Sequence, residues 1–165
     1  FHAPTRKLSL SNAGHPAPMW YRAKENRWQV LGIDPSDNTN KALADLPFGI
    51  IEDAGYQQTD VTFMPGDMLL MYTDALIEAR DHEGRQIGLR GLVNRLNALG
   101  TDEPDTIIPA LIQHIQDEDV NDLTDDDVTA LLIAANGAKQ DWRKMMVAPF
   151  NAIRGVLRGQ PVGPG

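Results

Sequence analysis

Two aspartates carry the clearest chemical signal in this sequence. Asp74 follows the continuous apolar run Met68–Tyr72, and Asp126 stands just ahead of a second such run, Val128–Ala135. Each run is short, bounded by turn residues and apolar without alternation, so both read as strands buried on two faces. If the strands are antiparallel neighbours, both carboxylates arrive at one edge of a sheet. Carboxylates gathered there repel one another unless a cation neutralises them. Hard oxygen donors of this kind suit Mg²⁺ or Mn²⁺. Two solvated turn residues would produce the same pattern, with Asp125 and Asp127 as further members of an Asp-rich turn. Spacing alone leaves both readings open.

Other chemistries are easier to set aside. The chain contains no cysteine, which removes disulfides, thiolate metal sites and any Cys nucleophile. His82-Glu83 begins like a zinc-protease motif, but no histidine follows at the required spacing. Neither a Gly-x-Ser-x-Gly elbow nor a phosphate loop ending in Gly-Lys-Ser/Thr occurs. A formal net charge of −8 argues against nucleic acid as a partner and fits a cytoplasmic protein. Membrane attachment is not expected for this segment, since no apolar stretch approaches the ~20 residues needed to span a bilayer. No signal-peptide pattern is visible at the start.

The elements that must position the acids follow from periodicity. Leu8–Asn12 alternates and runs into the turn Asn12-Ala13-Gly14-His15-Pro16. Met19–Arg22 and Trp28–Leu31 predict a hairpin across polar Lys24–Asn26. Ile33–Asp45 reads as a polar loop and Leu46-Pro47-Phe48-Gly49-Ile50 as a compact apolar turn. Gln57–Phe63 alternates, with Thr59, Val61 and Phe63 on one face, before the Pro65-Gly66 turn. Ala75–Arg80 predicts a short helix, and Leu89–Leu99 a longer one with an apolar stripe. Thr106–Gln116 predicts a third helix, behind Pro104 and a candidate N-cap at Asp105. Asp81–Arg85 is expected to be a solvated turn. The chain divides into residues 1–136 and a tail, 137–165. The tail is basic (Lys139, Arg143, Lys144, Arg154, Arg158), amphipathic around Pro149, and disordered at its end by composition. Packing on its own domain is favoured, then binding a partner or forming a homodimer, and membrane-surface attachment last, since Pro149 interrupts the amphipathic face.

Six short motifs then acquire meaning together: Asn12-Ala13-Gly14-His15-Pro16, Leu46-Pro47-Phe48-Gly49-Ile50, Pro65-Gly66-Asp67, Tyr72-Thr73-Asp74, Glu78-Ala79 and Asp126-Asp127-Val128-Thr129. In this order and spacing they resemble the stage II sporulation protein E-like branch of the PPM metal-dependent protein serine/threonine phosphatases, over residues 1 to about 135. The resemblance implies an α+β fold, part of a two-sheet antiparallel β-sandwich flanked by helices, with further strands expected before residue 1. It implies a pair of Mn²⁺ or Mg²⁺ ions whose bridging water attacks phosphorus in line. Asp74 and Asp126 would ligate one metal, and Asp127 would orient Asp126. Asn12, Gly14 and His15 would form a turn at the active site, with a structural role favoured for His15. The implied activity is hydrolysis of phosphoserine or phosphothreonine on a protein, usually a phosphorylated anti-sigma-factor antagonist. A regulatory switch would lie in Ala75–Leu99. The family's earlier Asp-Gly-His-Gly metal motif is absent from the sequence, so a pseudophosphatase or regulatory binding module, or an inactive fragment of the domain, is the rival reading. Ala75 stands where the family usually has glycine; if that position needs positive φ, the site would be distorted at a cost of roughly 1–2 kcal/mol. Uncovered strand edges and one bare sheet face are expected to make the chain self-associate.

Overall fold

The computed structural model describes residues 1–32, 47–50, 55–56, 58–118 and 127–137. The expected loop Ile33–Asp45, Asp126 and nearly all of the basic tail lie outside the described residues. Within them, strands β1 (Lys7–Ser11), β2 (Met19–Arg22), β3 (Arg27–Val30), β4 (Gln58–Thr62) and β5 (Met68–Tyr72) precede helices α1 (Ala75–Glu78), α2 (Gly88–Ala98) and α3 (Pro104–Glu118) and the last strand, β6 (Ala130–Ala134). Two antiparallel sheets result: β1 pairs with β4, and the larger sheet runs β3-β2-β5-β6. No helix among the described residues is long and apolar enough to cross a membrane.

Strand β5 is the axis of the fold because its uniformly apolar sequence can be buried on two faces. Met68, Leu70 and Tyr72 face a core built with Leu76 of α1, Leu92 and Leu96 of α2, and Ile107, Leu111 and Ile115 of α3. Burial of each such aliphatic side chain contributes about 1.5–3 kcal/mol. On the opposite face, Leu69 joins Trp20, Leu31 and Phe63 against Leu8, Leu10 and Val61 of the two-stranded sheet. The two-sheet sandwich is therefore present, with the helices gathered on one outer face.

Three expectations need correction. Val128–Ala135 is not buried on both sides: Leu131 and Ile133 are 52% and 43% exposed. Among the described residues β6 is the outer strand of its sheet, and the small sheet that covers Leu69 stops short of it. Asp105 does not cap α3, which begins one residue earlier at Pro104. The carboxylate sits instead in the first turn, where the helix dipole favours it. Ala75 lies in α1 and is absent from the positions with positive φ, so the anticipated strain does not arise.

The Met64–Asp67 turn closes one end of the sandwich. Pro65 and Gly66, whose φ is 88°, occupy the central positions that a type II turn requires. Asp67 is 3% exposed. Its carboxylate accepts hydrogen bonds from the N–H groups of Ala23 (3.0 Å) and Met64 (2.9 Å), joining the β2–β3 hairpin to the β4–β5 turn.

Candidate metal centre

At the other end of β5 the chain passes through Thr73 to Asp74, which begins α1. The Asp74 carbonyl accepts from the N–H groups of Ile77 (2.8 Å) and Glu78 (2.9 Å). Its side chain makes no capping bond to the helix and is exposed. A capping aspartate would normally use its carboxylate on the first-turn N–H groups; here it is left available to a ligand.

Both neighbours of β5 bring sequence motifs to this end. The register with β6 runs from Met68↔Ala134 to Tyr72↔Ala130. Thr73 extends it: its N–H donates to the Thr129 carbonyl at 3.0 Å, and its hydroxyl accepts from the Thr129 N–H at 3.0 Å. The same hydroxyl donates to the Asp127 carbonyl at 3.0 Å. Tyr-Thr-Asp and the Asp-Val-Thr stretch are thus tied by one side chain. The strands are antiparallel neighbours, the condition on which the sequence reading rested. Asp126 lies outside the described residues, and so does its separation from Asp74.

On the β2 side, Tyr72 donates its hydroxyl to the Ala17 carbonyl at 2.8 Å. Burial raises the tyrosine pKa above its ordinary value, keeping the phenol protonated as a donor. The register Met19↔Leu70, carried two residues on, likewise sets Ala17 opposite Tyr72. The turn leading into Ala17 is closed by Asn12: its Oδ1 accepts from the His15 N–H at 3.0 Å and its Nδ2 donates to the His15 carbonyl at 2.7 Å. Gly14 adopts φ 80°, and a Cβ there would sit 2.4 Å from Cγ of Pro47. Asn12 and Gly14 therefore shape a turn, and His15 enters it through its backbone. Asp74 stands between this turn and the Asp127–Thr129 segment.

Thr73 and Tyr72 as ties were not anticipated, although both sit inside the motif that marks Asp74. Asp81–Arg85 is the solvated turn expected, with residues 82–85 exposed. Asp81 Oδ1 accepts from the N–H groups of Glu83 (2.9 Å) and Arg85 (3.0 Å), and Oδ2 from the Arg85 guanidinium at 3.1 Å. Those bonds from Arg85 hold its pKa below the usual aspartate value. Among the described residues no group of three His, Cys, Asp or Glu side chains is placed to hold a metal by itself.

The sequence profile of the family described as stage II sporulation protein E (SpoIIE) matches residues 1–136. No curated protein sequence matches. Among solved structures, the phosphatase domain of the cell fate determinant SpoIIE from Bacillus subtilis, in a crystal form without domain swapping, aligns at 16% identity and TM-score 0.60, covering 96% of this chain and 57% of that one. The SiaA-PP2C domain of Pseudomonas aeruginosa aligns at 19% identity and TM-score 0.57, covering 79% of this chain and 47% of that one. The RsbU and RsbW domains of a Mycobacterium tuberculosis protein align at 20% identity and TM-score 0.54, covering 82% and 34%. The chain thus spans from about a third to under three fifths of these structures, and the fold is shared.

Proposed function

The chain belongs to the stage II sporulation protein E family, and on that footing we propose that residues 1–136 form part of a metal-dependent phosphatase domain acting on phosphoserine or phosphothreonine of a regulatory protein. The observation that carries this reading is the placement of Asp74, exposed and not used as a helix cap, where β5 ends between two family motifs.

The residues fit a hard divalent cation. Asp74 and Asp126 would hold Mn²⁺ or Mg²⁺ as carboxylate donors, with Asp127 beside them orienting Asp126. When bound, the cation supplies Lewis-acid activation of water and neutralises phosphoryl charge, without a covalent phosphoenzyme. The chain's own part is positioning. Thr73 locks the end of β5 to residues 127–129, and Tyr72 bonds Ala17, which follows the Asn12–His15 turn, on the other side. Asp74 therefore starts from a backbone anchored on both flanks, and its carboxylate needs little reorganisation to bind. An anti-sigma-factor antagonist is the substrate this reading favours, and cytoplasmic signalling the setting. The basic tail, 137–165, would be a separate segment.

The test is Mn²⁺-dependent release of phosphate from a phosphoserine protein and from p-nitrophenyl phosphate, by the protein carrying the complete domain. Asp74→Asn should abolish both. Undiminished turnover in that variant would overturn the reading. This chain alone should turn over either substrate poorly even with Mn²⁺, because the Asp-Gly-His-Gly ligand motif is not in its sequence.

A further inference from the structure

At Thr73 a strand pairing ends and a helix begins, and its backbone cannot serve both. In an antiparallel ladder a hydrogen-bonded pair exchanges two bonds, each N–H meeting the other residue's carbonyl. The register that ends at Tyr72↔Ala130 points next to Thr73 and Thr129. The first bond of that pair is present: the Thr73 N–H donates to the Thr129 carbonyl at 3.0 Å. The second is not made by the backbone. Asp74 has helical φ −56° and ψ −28°, and the Thr73 carbonyl is turned into α1, where it accepts from the Leu76 N–H at 3.3 Å.

The Thr73 hydroxyl stands in for that carbonyl and accepts the Thr129 N–H at 3.0 Å. Its own proton goes to the Asp127 carbonyl, also at 3.0 Å, with the Thr129 carbonyl farther off at 3.5 Å. A hydroxyl can accept and donate at once, which a methyl group cannot. The side chain thus carries the pairing past Tyr72 at the one place where the main chain has turned away. It does so one residue before Asp74, and the backbone it grips is that of Asp127, the chain neighbour of Asp126.

We propose that the Thr73 hydroxyl is a positioning group that sets the divalent-cation affinity of the centre, by fixing residues 127–129 beside the start of α1. The inference rests on the metal-dependent phosphatase reading above, which assigns Asp74, Asp126 and Asp127 to that centre. Carboxylates from two separate strands bind one ion well only when their backbones are already held together, because the ion then does not have to order them. Thr73 touches neither ion nor substrate in this role.

The experiment titrates the protein carrying the complete domain with Mn²⁺, reading the free ion by electron paramagnetic resonance. Thr73→Val keeps the shape, deletes the hydroxyl and should weaken Mn²⁺ binding about tenfold or more, the usual effect of removing a group that orients metal ligands. Thr73→Ser should stay within about threefold of the wild type, and Thr73→Ala should fall like Thr73→Val. The Ser and Ala variants form a second hydroxyl deletion matched in shape, which decides the matter if Thr73→Val does not fold in thermal unfolding. Phosphate release by Thr73→Val should recover as Mn²⁺ is raised, while that of Asp74→Asn should not. Equal Mn²⁺ affinity with and without the hydroxyl, or an affinity lost equally in Thr73→Ser, would overturn the proposal alone. A wild-type protein that binds no Mn²⁺, or binds it no better than Asp74→Asn, would overturn the metal reading and the proposal with it.

Discussion

Asp67 and Asp74 stand at opposite ends of the strand Met68–Tyr72 and use the same side chain in opposite ways. Asp67 is buried, and each of its oxygens accepts a backbone N–H, from Ala23 and from Met64. Asp74 is exposed and its carboxylate leaves even the first turn of its own helix uncapped. A carboxylate that satisfies backbone donors in the interior stabilises the fold and is out of reach of a ligand. One held at a sheet edge by backbone bonds alone contributes little to stability and keeps its oxygens for a ligand. The two ends of one strand thus separate structure from candidate function.

The comparison is broken most directly at the buried end. Asp67→Ala removes two hydrogen bonds to a charged group, at about 1.5–3 kcal/mol each. We expect a loss of about 3–5 kcal/mol in denaturant unfolding, a large share of a typical domain's 5–15 kcal/mol. Asp67→Asn keeps one acceptor and should lose roughly half as much. A change below about 1 kcal/mol in the Ala variant would mean that the carboxylate does not organise this end. At the open end the signature reverses. Asp74→Ala should shift stability by no more than about 0.5 kcal/mol. It should lower metal-dependent turnover of the complete domain by at least about 10²-fold, the scale on which single groups stabilise charge in a transition state. Parallel losses of stability and activity would erase the distinction.

Smaller effects sharpen it. Tyr72→Phe deletes the hydroxyl bond to Ala17, worth about 1 kcal/mol. Its loss should also loosen the turn beside Asp74, so turnover should fall a few-fold while Asp67-dependent contacts stay intact in hydrogen exchange. The least effect belongs to Asp60, on neither end. Its pKa is lowered to about 2, chiefly by hydrogen bonding to Lys7, whose Nζ lies 2.8 Å away. A depressed folded-state pKa means stability present above the unfolded value of about 3.9 and lost as pH falls through about 2. The pair is solvent-exposed, so the slope should be small, weaker in high salt, and absent in Asp60→Asn. Acid titration of unfolding at two salt concentrations reads it.

Much of this molecule was legible in local pattern. Alternation marked Gln58–Thr62, apolar continuity marked Met68–Tyr72, and the leucine stripe marked α2, because each reports which faces an element must bury. The Pro65-Gly66 turn follows from backbone sterics, and the ordered motifs carried the family. Burial of β6 was misread because an apolar run states that a strand can be covered on two faces, not that a neighbour is there to cover it. Leu131 and Ile133 are exposed because the small sheet stops short of them, a fact of packing. The sequence alone determined that Asp67 and Asp74 flank a buried strand. Only the tertiary structure decided which of them is buried and bonded and which remains open, because the N–H groups that meet Asp67, and the carbonyls of Ala17 and Asp127 that anchor the residues before Asp74, come mostly from segments distant in the chain and fall into place only when strands pair.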